Sequence, residues 1–102
     1  MAVVGIDAQD KAVSKLRQLA RGKPCQVRVP NLCDGGGDTT VLAHYRLSGV
    51  SGMGIKSPDV CGAWCCGPCH TWIDTHHDWP TKTWHLEGCI RTLNELVKLG
   101  VL

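Results

Sequence analysis

Phenylalanine is missing from this sequence, and Tyr45 is its one tyrosine. All four tryptophans, Trp64, Trp72, Trp79 and Trp84, fall in the second half. With so few large rings, a chain of 102 residues buries only a modest core, and apolar packing alone leaves such a domain marginal. No apolar run approaches the roughly 20 residues that cross a bilayer, so no membrane association is expected. No basic segment leading into an apolar stretch opens the sequence, which points to a cytoplasmic, reducing location. A strong charge of either sign is lacking too. A formal net charge of +2 neither demands nor excludes nucleic acid.

Twelve glycines imply many loops, and seven cysteines offer the staple that a small loop-rich fold needs. An odd cysteine count would leave one thiol outside any full disulfide set. In a reducing location, clustered cysteines point to metal instead. The basic residues are also clustered. Lys11, Lys15, Arg17, Arg21, Lys23 and Arg28 crowd the first third, as a phosphate-binding surface would require. A solvated helix face explains part of that cluster equally well, because cations near a helix C-terminus are favoured by the dipole.

One domain, residues 1–102, is the simplest organisation. Asp7 and Asp10 read as a helix start, with Val13, Leu16 and Leu19 or Ala20 as its apolar stripe and Gly22 and Pro24 as its end. The helix is expected over about 8–21. TTVLAHYRL reads as a strand, VCGAWC as a short second strand, and CGPCHTWIDTHH as a turn into a helix. Pro80 is expected to break that helix. Thr83 would then cap a last helix over about 84–99, with Leu86, Ile90, Leu93 and Val97 as its stripe.

The densest chemistry is CCGPCHTWID, residues 65–74. Cys66 and Cys69 flank Gly67-Pro68 at the C-x2-C spacing by which two thiolates grip one ion. Cys25 and Cys33 supply a second pair at the wider C-x7-C spacing, giving a four-thiolate structural zinc site. Cys65 competes with Cys66 as a ligand, at C-x3-C from Cys69. Cys61 and Cys89 read as small buried hydrophobes. Directly after Cys69 come His70 and, one helical turn on, Asp74, an imidazole and a carboxylate on one face that can share a divalent ion. His44 ends the first strand. It reads either as a core histidine or as a proton acceptor beside a phosphate. Asp59 reads as a turn cap or as the orienter of a histidine. Arg46 pairs with a phosphate or with a neighbouring carboxylate. His76, His77 and His85 read as solvated.

The segments LARGKPCQVRVPNLC, TTVLAHYRL, SPD, CCGPCHTWID and LEGCIRT, between Leu19 and Thr92, carry a family resemblance. The chain resembles the HNH endonuclease superfamily in its zinc-stapled, treble-clef form, and within it the YbcO-like family of small prophage nucleases. The resemblance implies an α+β fold, with a zinc-stapled ββα-metal core over about 25–78 flanked by the N-terminal and C-terminal helices. It implies that His44 is the general base, positioned by Asp59, and that His70 and Asp74 bind a catalytic Mg²⁺ or Mn²⁺. Ala43 stands where many such enzymes carry a further metal ligand. Lys23, Arg28 and Arg46 would hold the DNA backbone without reading sequence. The implied activity is phosphodiester hydrolysis leaving 5′-phosphate and 3′-hydroxyl ends, in phage or prophage DNA recombination or processing inside a bacterial host cell. A homodimer would follow if the substrate is a four-way junction, which needs two active sites. Two other readings use the same zinc: a non-catalytic DNA-binding or recombination accessory module, and a protein-interaction domain without nucleic acid.

Overall fold

In the computed structural model of the chain, residues 15–49 and 57–102 are described. The first half of the expected N-terminal helix lies outside them, but residues 15–19 are helical, and Leu16 and Ala20 are buried. Strand β1, Val41–His44, pairs antiparallel with β2, Gly62–Cys65, in a register that sets Val41 against Cys65 and His44 against Gly62. A tight helical turn, Asp59–Cys61, leads into β2. Helix α1, Gly67–Thr75, follows at once, and helix α2, Trp79–Lys98, closes the chain.

A two-stranded hairpin is marginal in water and needs a helix across it. Here α2 supplies that cover. All four residues of β2 are buried. Thr92 Oγ1 accepts from the Trp64 N–H at 2.9 Å and donates to the Gly88 carbonyl at 2.8 Å. The approach is so close that a Cβ on Gly88 would sit 2.9 Å from the Val27 side chain. Arg91 donates to the Gln26 carbonyl at 2.8 Å, and the Gln26 N–H donates to Trp64 O at 2.7 Å, so the loop before the sheet is tied to both.

Two apolar clusters result. One gathers Val27, Val29, Ala43, Ala63 and Ile73 around the cysteines, and the other packs Leu16, Ala20 and Leu96 on Trp64. The glycine-rich turn after Cys33 is pinned against the first. Pro24 bridges to Gly36, whose φ of 88° and crowding against Cys25 admit no side chain.

Helix α2 departs from the sequence expectation twice. It begins at Trp79, not at about 84, because Asp78 caps it by accepting from the Thr81 N–H at 2.9 Å. Pro80 therefore occupies the first turn, where a missing N–H costs nothing. Its buried face is Thr81, His85, Gly88, Cys89, Thr92 and Leu96. The expected stripe is not that face: Leu86, Ile90 and Val97 are exposed. Close approach around Gly88 leaves room there only for small or hydrogen-bonding side chains, and Leu86, Ile90 and Val97 lie to one flank.

Candidate active site and cysteine cluster

The loop 25–33, the end of β2 and the first turn of α1 converge on one point. The Sγ atoms of Cys25, Cys33, Cys66 and Cys69 all lie within 4.8 Å of one another. Four thiolates around zinc stand about 3.8 Å apart, given Zn–S bonds near 2.3 Å, and Cys33 and Cys66 are 3.9 Å apart. Backbone N–H groups already point at the sulfurs: Gly35 donates to Cys33 and Val29 to Cys69, each at 3.4 Å. Arg28 and Asn31 adopt positive φ to turn the chain between the first two cysteines. The all-sulfur donor set fits a structural metal such as zinc.

Electrostatics favour the same conclusion. A hydrogen bond with the Cys65 thiol, opposed by burial, holds Cys25 down at about 4. Burial pushes Cys66 up to about 11, and drives Cys69 up as well. Buried thiols packed this closely resist ionising together, and a bound cation is what favours their thiolates. A hydrogen bond with Cys25 and burial drive the Cys65 thiol up, and its sulfur is not among the four that cluster. Cys89 is buried in the core, and burial pushes its thiol up to about 12.

On the other side of β1 lies a more open, polar region. His44 Nε2 is 2.6 Å from Asp59 Oδ1. Asp59 is buried, whereas the His44 side chain is partly exposed. Arg17 Nε lies 3.1 Å from the other Asp59 oxygen, Oδ2, which has no hydrogen-bond partner of good geometry. A buried carboxylate is costly unless paired, and here it is held between a guanidinium and an imidazole. The Pro58 turn and the pairing of His44 with Gly62 bring Asp59 to the histidine.

His44 opens onto a cleft of about 330 Å³ lined also by Tyr45, Arg46, Asp74, His76, His77, Lys82 and His85. His70 Nε2 lies 3.6 Å from Asp74, one turn apart on α1, with both side chains exposed. Among the described residues, no metal-binding group of three or more forms besides the four cysteines. His70 and Asp74 belong to no such group. They do not form a closed cage.

The expected DNA-holding cations divide. Arg46 lines the cleft. Lys23 instead sits over the Trp64 ring at 5.8 Å, and Arg28 donates to the Gln26 side chain at 3.2 Å. His85 corrects its expectation, being buried and not solvated. Its Nε2 lies 2.8 Å from the Ala43 carbonyl, and burial pushes its pKa down, so it is a neutral donor beneath the cleft. His76 stacks on Trp72 at 3.5 Å. Arg17, part of the basic cluster, carries no local signal of its contact with Asp59, which is 42 positions away.

A small α+β chain with a two-stranded sheet, a four-cysteine cluster and a histidine–carboxylate cleft is the class these features define. The sequence profile of the family described as "Putative nuclease YbcO" matches residues 14–101, and the chain belongs to that family. It is 42% identical over 94 residues to the YbcO proteins of Escherichia coli (strain K12) and of Enterobacteria phage 82, spanning 88% of this chain and 98% of each relative. A solved structure of a "putative bacteriophage protein" from Escherichia coli str. K-12 substr. MG1655 superposes with a TM-score of 0.69 at 38% identity. The match covers 84% of this chain and all of the other.

Proposed function

We propose that this protein is a metal-dependent DNA endonuclease of HNH type that hydrolyses phosphodiester bonds in phage or prophage DNA. The observation that carries the reading is the 2.6 Å contact between His44 and the buried Asp59 at the mouth of a cleft that also holds Arg46 and Asp74. The names of the relatives, putative nucleases of a bacterium and a phage, point the same way.

With Nε2 bound to Asp59, the Nε2–H tautomer of neutral His44 is favoured, and Nδ1 is left as the proton acceptor. Asp59 stabilises the imidazolium that forms as a water molecule gives up its proton and attacks phosphorus. Arg17 holds Asp59 in place from the other side, at 3.1 Å. Arg46 would hold a phosphate of the DNA backbone, and binding by such contacts weakens steeply as salt rises. His70 and Asp74 would hold Mg²⁺ or Mn²⁺, which would supply charge neutralisation at the phosphate and the leaving 3′ oxygen. The four-cysteine cluster would hold zinc and fix the start of α1, so that His70 and Asp74 are pre-positioned. The cytoplasm of the host cell and a single domain over residues 1–102 complete the proposal.

The second reading, a non-catalytic DNA-binding or recombination accessory module, draws on Ala43 and on the openness of the His70–Asp74 pair. Cleavage of supercoiled plasmid and of a four-way junction, with and without Mg²⁺ or Mn²⁺, separates the two. The nuclease reading expects ion-dependent cutting that is lost in His70→Ala and Asp74→Asn. DNA binding with no cutting under any ion would transfer the case to the accessory module.

A further inference from the structure

The exposed apolar flank of α2 has a period that the monomer does not use. Trp79, Leu86, Ile90 and Val97 are 78, 46, 60 and 59% exposed. Thr83 is exposed as well, and Leu93 is half-buried. The six positions 79, 83, 86, 90, 93 and 97 are spaced alternately by four and three, which is the a/d seam of a heptad repeat. Trp79, Leu86 and Leu93 take the d positions, and Thr83, Ile90 and Val97 take the a positions. β-Branched residues at a with leucine at d are the pattern of two parallel strands. The seam runs about 27 Å along the helix at 1.5 Å per residue, and the helix's own core contacts lie on a different face.

Charge supplies a second argument, and it points to an identical partner. Lys82 falls at g and Glu87 at the following e position. In a parallel pair the g side chain of one helix meets the e side chain of its mate five residues on. Two copies would therefore form Lys82–Glu87 pairs symmetrically, twice per dimer. The remaining g positions, Cys89 and Leu96, are buried in each copy's own core and add no conflicting charge. An antiparallel pair would set Lys82 against no acidic partner of this kind.

We propose that this seam is the interface of a parallel, two-fold homodimer, with Ile90 against Ile90 at its centre. The two-fold places the two bodies on opposite sides of the paired helices, since each core lies away from its seam. The inference concerns assembly and stands apart from the nuclease reading.

Sedimentation equilibrium of the full-length chain in reducing buffer, over roughly 5–200 µM, tests it. The expected mass is twice 11.1 kDa. Ile90→Glu should weaken association by about 100-fold or more, with its far-UV circular dichroism retained. Val97→Glu serves the same purpose if Ile90→Glu does not fold. Lys82→Glu should weaken the dimer by about tenfold, and adding Glu87→Lys should restore it. A wild-type mass of 11.1 kDa throughout the range would overturn the proposal. So would an undiminished dimer in both seam variants, and charge variants without effect would overturn the parallel register.

Discussion

The two ends of the segment 66–74, Cys66 and Asp74, belong to environments that differ in almost every physical respect. Cys66 and Cys69 are fully buried, surrounded by apolar side chains and met by backbone N–H groups. His70 and Asp74, on the same short helix, are exposed, and Asp74 lines a polar cleft. The cysteine side has four converging donors from three chain segments, and the cleft side has two from one. A closed site of four thiolates suits an ion that never leaves, and its binding free energy becomes folding free energy. An open pair suits an ion that must also accept a substrate oxygen. On the proposed reading, one helix would join a stability device to a chemical one, and the two should fail differently.

The largest break in that contrast should come on the cysteine side. Cys66→Ser, or removal of metal with a strong chelator, should abolish cooperative thermal unfolding, because structural zinc sites carry about 10 kcal/mol or more of apparent binding energy. Metal analysis of the untreated protein should give one zinc per chain, while Cys65→Ser should keep that stoichiometry.

Next in size is the support beneath the cleft. Asp59→Asn should lower cleavage by about 10- to 100-fold, since the imidazolium loses its counter-charge. Midpoints of chemical denaturation should show a stability change no larger than about 3 kcal/mol. Arg17→Met should act more mildly. With its side chain half exposed, most of its charge effect is screened, and a drop in cleavage of about threefold to tenfold is expected.

The smallest effect belongs to His85. Burial depresses its folded-state pKa, so it adds no pH dependence above the ordinary histidine pKa, about 6.5. As pH falls below that value, the unfolded chain takes up a proton that the folded chain resists, and stability declines. In His85→Gln, denaturation curves between pH 7.5 and 5.5 should show a shallower decline than in the wild type, the cysteine contribution being common to both.

Much of the cysteine side was legible because metal-ligand spacing is local. C-x2-C next to a helix start is a short-range pattern, and the wider Cys25–Cys33 pair needed only a loop. The cleft was half legible. His44, His70 and Asp74 stand out by residue type and position, whereas Asp59 reads from the residues only as a turn cap or the orienter of a histidine, and its place beside His44 comes from the family resemblance. Arg17 and His85 were not legible, because each is defined by a contact about 42 positions away. Helix α2 misled for a related reason. Proline and an apolar stripe are read by local rules, but the cap at Asp78 and the tight approach at Gly88 decide where the helix starts and which face is buried.

The contrast rests finally on whether the cleft does chemistry that the cluster does not. The most direct measurement compares wild-type and His44→Ala protein, each with its zinc content verified, in Mg²⁺- or Mn²⁺-supported cleavage of plasmid DNA. The account predicts that His44→Ala keeps its zinc and its cooperative fold while cleavage falls by about 10²- to 10⁴-fold. Equal cleavage by the two proteins, or none by the wild type under any ion, would contradict it.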